Sequence, residues 1–131
     1  IMIFDRDNAK LVEKVEDAQK GFKDWGNRVY SFALPVSQHR QNTPNICIEH
    51  YYADSEITTE MEIDGIKRRL YLGYEFDKYG RSPMLGKLCR TVNKCGLNSI
   101  AIIDDEVYEL SSTSDTNYAL SKVKFTDLIC S

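Results

Sequence analysis

Ile1-Met2-Ile3-Phe4-Asp5-Arg6-Asp7 is an apolar run that stops abruptly at two carboxylates two residues apart. Near-continuous hydrophobic sequence marks a strand covered on both faces, as in a parallel sheet. Ligands of open α/β sheets bind at the carboxyl ends of strands. Two acids there suit a divalent cation held through oxygen, the arrangement by which Mg²⁺ bridges protein and phosphate. A buried strand with no lead-in is expected where a chain begins inside a domain, so a missing N-terminal portion of a larger chain is the expectation.

Downstream of this run the periodicity changes. From Asn8 to Trp25, Leu11, Val12, Val15, Ala18, Phe22 and Trp25 recur at helical spacing, with Lys and Glu on the other face. Glu16 and Lys20 stand at i,i+4 in the favourable order, Asn8 suits an N-cap and Gly26 a stop. Arg28 to Leu34 then reads as a second strand, closed by Pro35. Strand, helix of about four turns and strand make a βαβ unit, hence a parallel pair with a right-handed crossover.

The rest is more broken. Val36 to Asn45 is a polar loop interrupted by Pro44, and Ile46 to Tyr52 fits either a short strand or a helix start. Asp54 or Ser55 opens a further short segment. Thr58 to Ile63 and Ile66 to Leu72 flank Asp64-Gly65, which supplies the positive φ of a type I′ hairpin. Residues 73–83 read as an extended loop and Lys87 to Lys94 as a short helix stopped near Gly96. Ile100 to Ile103 and Val107 to Leu110, around Asp104-Asp105-Glu106, read as a second hairpin or strand–turn. Ser111 to Asn117 is a Ser/Thr-rich linker, and Tyr118 to Ile129 is an amphipathic tail. The expected fold class is α/β: a small, mostly parallel sheet with flanking helices, begun by the βαβ unit, plus an antiparallel hairpin-containing insertion.

With 131 residues, 42% hydrophobic and 28% charged, the chain suits one domain, 1–131. A net charge of −3 and a pI near 5.4 provide no global basic field for nucleic acid or membrane, leaving room only for a local patch. Apolar runs of about four residues fall far short of the roughly 20 that span a bilayer. No basic segment precedes an apolar export core, and a cytoplasmic location without membrane association is expected. Cys47, Cys89, Cys95 and Cys130 lack a CxxC pair, so four reduced thiols are expected rather than a zinc site.

Asp5 and Asp7 lie i,i+2 in an extended segment and so share a face, from which both can approach one cation; otherwise they are solvated turn residues or a helix cap. Glu49 follows the apolar Ile46-Cys47-Ile48 and would complete a cation shell if its segment neighbours the first strand; alternatively it is a surface acid or a partner of Arg28 or Arg40. Lys122 and Lys124, behind Ser121, suit a phosphate oxygen or a leaving group, or are simply solvent-facing. Lys67, Arg68 and Arg69 form the one three-residue basic run. With Arg40, they are candidate nucleic-acid contacts, and a charged edge strand explains the run as well. His39 and His50 read as satisfied surface or core histidines. No GxSxG, GxGxxG or GxxxxGK[ST] motif is present.

Taken together, the Ile-Phe-Asp-Arg-Asp strand end, the helix, the second strand and Ile48-Glu49-His50-Tyr51-Tyr52 resemble the later part of a TOPRIM domain. The branch they look most like is that of the overcoming-lysogenization-defect (OLD) nucleases and related bacterial and phage-defence proteins. Ser121-Lys122-Val123-Lys124-Phe125 resembles a late Ser-Lys-x-x-Phe-Ala helix there, with Thr126 in place of Ala. The resemblance implies a nuclease in which Asp5, Asp7 and Glu49 hold Mg²⁺ (or Mn²⁺), Lys122 or Lys124 contacts the phosphate, and DNA or RNA is the substrate; a homo-oligomer is compatible with it. It covers residues 1–53 and 118–131, leaving 55–115 as an insertion. The strand bearing the first acid of that family lies before Ile1, so a fragment of this extent is expected to be weak or inactive. A haloacid dehalogenase-like phosphatase, with Asp5 as nucleophile, ranks below it because Ala9 stands where that family has Thr or Val. A non-catalytic protein-interaction or regulatory domain is the alternative, suited by eight tyrosines.

Overall fold

In the computed structural model, which describes residues 1–111 and 115–130 apart from the Cys130 side chain, the opening run forms strand β1, Met2–Phe4. Asn8 caps the following helix, α1, Ala9–Val15, its side-chain oxygen accepting from the N–H groups of Lys10 and Leu11 at 3.1 and 3.2 Å. The helix read as far as Trp25 ends after about two turns. Its continuation loses to a local competitor: the Asp17 carboxylate accepts from Gln19 and Lys20 N–H at 2.9 and 3.3 Å. Gly21, at φ +78°, completes the reversal. Strands β2, Lys23–Asp24, and β3, Tyr30–Ala33, follow. Asn27 and Arg28 are left-handed between them, so the strand expected from Arg28 starts at Tyr30.

β1 lies parallel to β3, Met2 opposite Ser31 and Phe4 opposite Ala33, with α1 packed on β3. The βαβ reading expects this pairing. Ser31 is fully buried, donating to Val15 O at 2.6 Å and accepting from Trp25 Nε1 at 2.8 Å. β2 is antiparallel to β3 on the other side, giving the order β1-β3-β2. These elements belong to a first compact unit, Ile1–Tyr52; the second is Ala53–Ser131.

The second unit begins with the one-turn α2, Asp54–Ile57, where the Glu56 carboxylate accepts from Ala53 N–H at 3.0 Å. The hairpin of β4, Met61–Ile63, and β5, Ile66–Arg68, turns at Asp64 and Gly65 with φ of 52° and 79°, as a type I′ turn requires. Strand β6, Tyr71–Leu72, pairs not with its neighbours in sequence but with β9, Ile102–Ile103. A three-stranded antiparallel sheet places β8, Lys87–Cys89, between β7, Arg81–Ser82, and β10, Val107–Glu109. Tyr71, Phe76, Cys89, Ile103, Val107 and Ala119 form the core around which these strands meet. The last helix, α3, Lys122–Cys130, is capped by Ser121 Oγ, which accepts from Lys124 N–H at 3.1 Å, and it buries Phe125.

Several expectations need correction. The fold class is not a mostly parallel sheet with flanking helices. Among the described residues the strands form four small sheets of three, three, two and two strands. β1–β3 is the one parallel pair of strands among the described residues, every other strand pairing being antiparallel. The apolar run misleads because β1 is an edge strand: Met2 and Ile3 are 42% and 58% exposed. Residues 87–94 are strand and a 3-10 turn, since pairing with β7 and β10 on both sides outweighs a weak local preference. β9 and β10 form no hairpin, because Glu106, at φ 62°, turns the chain into a different sheet. The linker Ser111 to Asn117 falls partly on residues 112–114, which lie outside the described residues, as does the thiol expected at Cys130. Cys47, Cys89 and Cys95 are free thiols. Among the described residues no helix is long and apolar enough to cross a membrane.

Two predictions follow from the second unit. At Gly80, φ is +79° and a Cβ would collide with the Cys89 carbonyl, whereas at Gly86, φ +65°, a Cβ meets open space. Gly86→Ala should cost about 1–2 kcal/mol in urea denaturation and Gly80→Ala about 3 kcal/mol or more; equal losses contradict the packing. Burial and a hydrogen bond with Cys89 push the Cys95 thiol up to about 12 from the ordinary 9.0. Unfolded Cys95 ionises first, so its contribution is intact below the ordinary value and is lost as pH rises through the folded one. Cys95→Ala should flatten the decline of stability across that alkaline window, and an unchanged slope contradicts it.

Candidate functional site

The site is built from Arg6, between the two acids. Its backbone N–H donates to Ile46 O at 2.7 Å. Its guanidinium donates to Leu34 O at 2.7 Å and Ala33 O at 3.3 Å, and pairs with the Glu16 carboxylate at 2.8 Å. One side chain thus joins the ends of β1, β3 and α1. The chain bends at Arg6-Asp7, so the alternation that would put Asp5 and Asp7 on one extended face is broken. Asp7 is exposed and Asp5 half-buried.

The Asp5 carboxylate accepts from the Ile48 N–H at 3.1 Å, across 43 positions of sequence. Ile48 opens a 3-10 turn, Ile48–Tyr51, at the position left ambiguous between strand and helix. The turn is held from several sides. Buried Arg40 donates to His50 O and Tyr52 O, each at 2.9 Å, and His39 Nε2 lies 3.0 Å from His50 O. Buried His50 accepts the Cys47 N–H at Nδ1, 2.9 Å, with Cys47 Sγ at 3.3 Å. Accepting at Nδ1 puts the proton of the neutral ring on Nε2. Tyr51 OH donates to Pro35 O. Glu49, half-buried, rides on this turn, and its carbonyl accepts from Tyr52 N–H at 3.1 Å.

The fold therefore brings together Asp5 and the segment bearing Glu49, as the reading of neighbouring core segments anticipates, and leaves Asp7 beyond the bend. Two carboxylates fit the way Mg²⁺ is commonly held, through one or two protein carboxylates plus water and phosphate oxygens. Among the described residues, however, no group of three acidic, His or Cys side chains is arranged to hold a metal ion.

The basic candidates occupy several different environments. Arg40, 5% exposed, donates to backbone carbonyls and organises the turn. In the second unit Lys67 is exposed on β5 opposite Glu62, and Arg68 is half-buried. Arg69 is locked bidentately onto Glu75, at 2.8 and 3.1 Å, with its guanidinium 3.8 Å over the Tyr71 ring. The 67–69 run therefore offers no single cationic face. Lys122 and Lys124, half-buried and exposed, sit in the first turn of α3.

The residue that sequence reading passed over is Arg6. A cation flanked by acids at a strand end is its only signal, and its partners become visible only when β3 and α1 are folded. Arg6→Met should destabilise the first unit by about 2–4 kcal/mol, through loss of a half-buried ion pair and two charge-assisted bonds. Arg6→Lys should recover only a minor part, since an ammonium cannot span the same acceptors. Thermal unfolding of both variants measures this; full rescue by Lys contradicts it. In the comparisons with known proteins, no family model matches the chain, and no curated protein or solved structure matches it.

Proposed function

We propose that this chain carries part of an Mg²⁺- or Mn²⁺-dependent site for phosphodiester chemistry on DNA or RNA, with Asp5 and Glu49 as its carboxylates. The observation that carries the reading is the hydrogen bond from Ile48 N–H to Asp5, which ties the acid at the carboxyl end of a parallel strand to the turn bearing Glu49. A bound metal there supplies Lewis acidity at a phosphoryl oxygen and lowers the pKa of bound water. The chain's own contribution is orientation. Ile48 N–H fixes the Asp5 carboxylate, while Arg40 and His50 fix the turn on which Glu49 stands. Asp7 is an outer acid in this reading. A phosphate contact by Lys122 or Lys124, and a nucleic-acid contact by Lys67, rest on the sequence resemblance and on the two exposed positions, Lys67 and Lys124.

A second reading, a protein-interaction module, is favoured by the apolar side chains that the first unit leaves exposed. Ile1, Ile3, Tyr30 and Trp25 are 86%, 58%, 38% and 49% exposed, and β1 is an unshielded edge strand.

A nicking assay on the intact protein with Mg²⁺ distinguishes the two. Asp5→Ala and Glu49→Gln should each lower the rate by about 100-fold or more while leaving circular dichroism unchanged. Lys10→Ala, exposed on α1, should leave the rate intact. Undiminished activity in Asp5→Ala removes the metal-ligand role.

A further inference from the structure

The second unit carries a pocket of about 420 Å³, within the size range of small-molecule sites. Its apolar walls are Tyr74, Phe76, Met84, Leu85 and Leu97. Met84 and Leu97 are 96% and 84% exposed, and Tyr74 and Leu85 are 39% and 37% exposed. Met84 and Leu85 stand at the tip of the β7–β8 connection, closed by Gly86 N–H donating to Pro83 O at 3.3 Å. Turn tips favour Gly, Pro, Asn, Asp and Ser for local reasons. Nothing in the turn geometry asks for Met and Leu there, and their exposure costs solvation without serving the core. Met is also the residue that adapts best to a variable apolar guest.

The polar groups around the pocket select its charge. Glu75 is neutralised by the bidentate Arg69 and also accepts from Leu72 N–H at 2.8 Å. One oxygen of Asp77 is held by the backbone N–H groups of Tyr79 and Arg81, at 2.9 and 3.0 Å. The Arg81 guanidinium makes no ion pair among the described residues. Ser82, 5% exposed, also lines the pocket; its oxygen accepts from Leu85 N–H at 3.4 Å, which leaves the hydroxyl proton as a donor. Arg and a carboxylate match in a planar, two-bond geometry.

We propose that this pocket binds a small carboxylate with an aromatic or branched apolar body, the body against Tyr74, Phe76, Met84, Leu85 and Leu97 and the carboxylate on Arg81 and Ser82. The site is independent of Asp5 and Glu49, and its ligand needs no metal.

Three probes of one shape test it: 4-phenylbutyrate, 4-phenylbutan-1-ol and 4-phenylbutylamine, each titrated into the intact protein and followed by backbone amide NMR. The expected result is saturable shifts at residues 74–77, 81–85 and 97, with the carboxylate bound at least about 10-fold more tightly than the alcohol. Arg81→Gln should bring the carboxylate down to the alcohol's affinity while the alcohol is unaffected. Leu97→Asp, at a position 84% exposed, should weaken both without unfolding the chain. Absence of saturable shifts, equal affinities for carboxylate and alcohol in the wild type, or tighter binding of the amine would each overturn the proposal.

Discussion

The arrangement of the first unit depends on the Arg6 guanidinium and its adjoining amide. Three segments remote in sequence end at this residue: α1 through Glu16, β3 through Ala33 and Leu34, and the approach to the 3-10 turn through Ile46. Each bond involves a charged or backbone donor at a half-buried position, where a lost partner leaves another group desolvated and unsatisfied. The small apolar core of this unit, including Val15, Ala33, Leu34, Ile46 and Cys47, forms on a frame that Arg6 sets. A three-stranded sheet with one helix has little surface to bury, so polar closure carries a correspondingly larger share.

Asp5 inherits its geometry from that frame. With Arg6 turned toward Leu34 and Glu16, the preceding carboxylate meets Ile48 N–H. The turn it meets is prearranged by Arg40 and by the Cys47–His50 pair. The turn that carries Glu49 is therefore held by its neighbours, and in the proposed site this would preorganise the carboxylate. The second unit follows a different plan. Cation–aromatic pairs, Arg69 over Tyr71, Lys87 over Tyr118 and Arg90 over Tyr108, at 3.8, 4.1 and 4.0 Å, line its sheets. Lys87 also holds the Glu109 carboxyl below its usual range.

What was legible in the sequence is what is local. Asn8 as a helix cap and Asp64-Gly65 as a type I′ turn each act within three or four residues, and each stands where the pattern puts it. The parallel β1–β3 pair was legible because a helix between two apolar runs leaves few alternatives. The helix through Trp25 was not, since Asp17 and Gly21 favour a turn that periodicity does not weigh. Strand β8 sits between β7 and a β10 partner about twenty residues on, and β9 leaves β10 for β6 some thirty residues back, pairings that no local window reveals. At the site, Asp5 and Glu49 were legible as acids after apolar runs. The role of Arg40 in the turn was not legible, because its acceptors are carbonyls that only folding gathers.

Paramagnetic broadening tests the central claim, that Asp5 and Glu49 share one cation site, most directly. Mn²⁺ titrated into the ¹⁵N-labelled protein should broaden the amide signals of Asp5, Ile48 and Glu49 first, and Asp5→Asn, which retains the acceptor for Ile48 N–H, should abolish that selectivity. Broadening confined to other acidic residues, or unchanged by Asp5→Asn, would contradict the shared site.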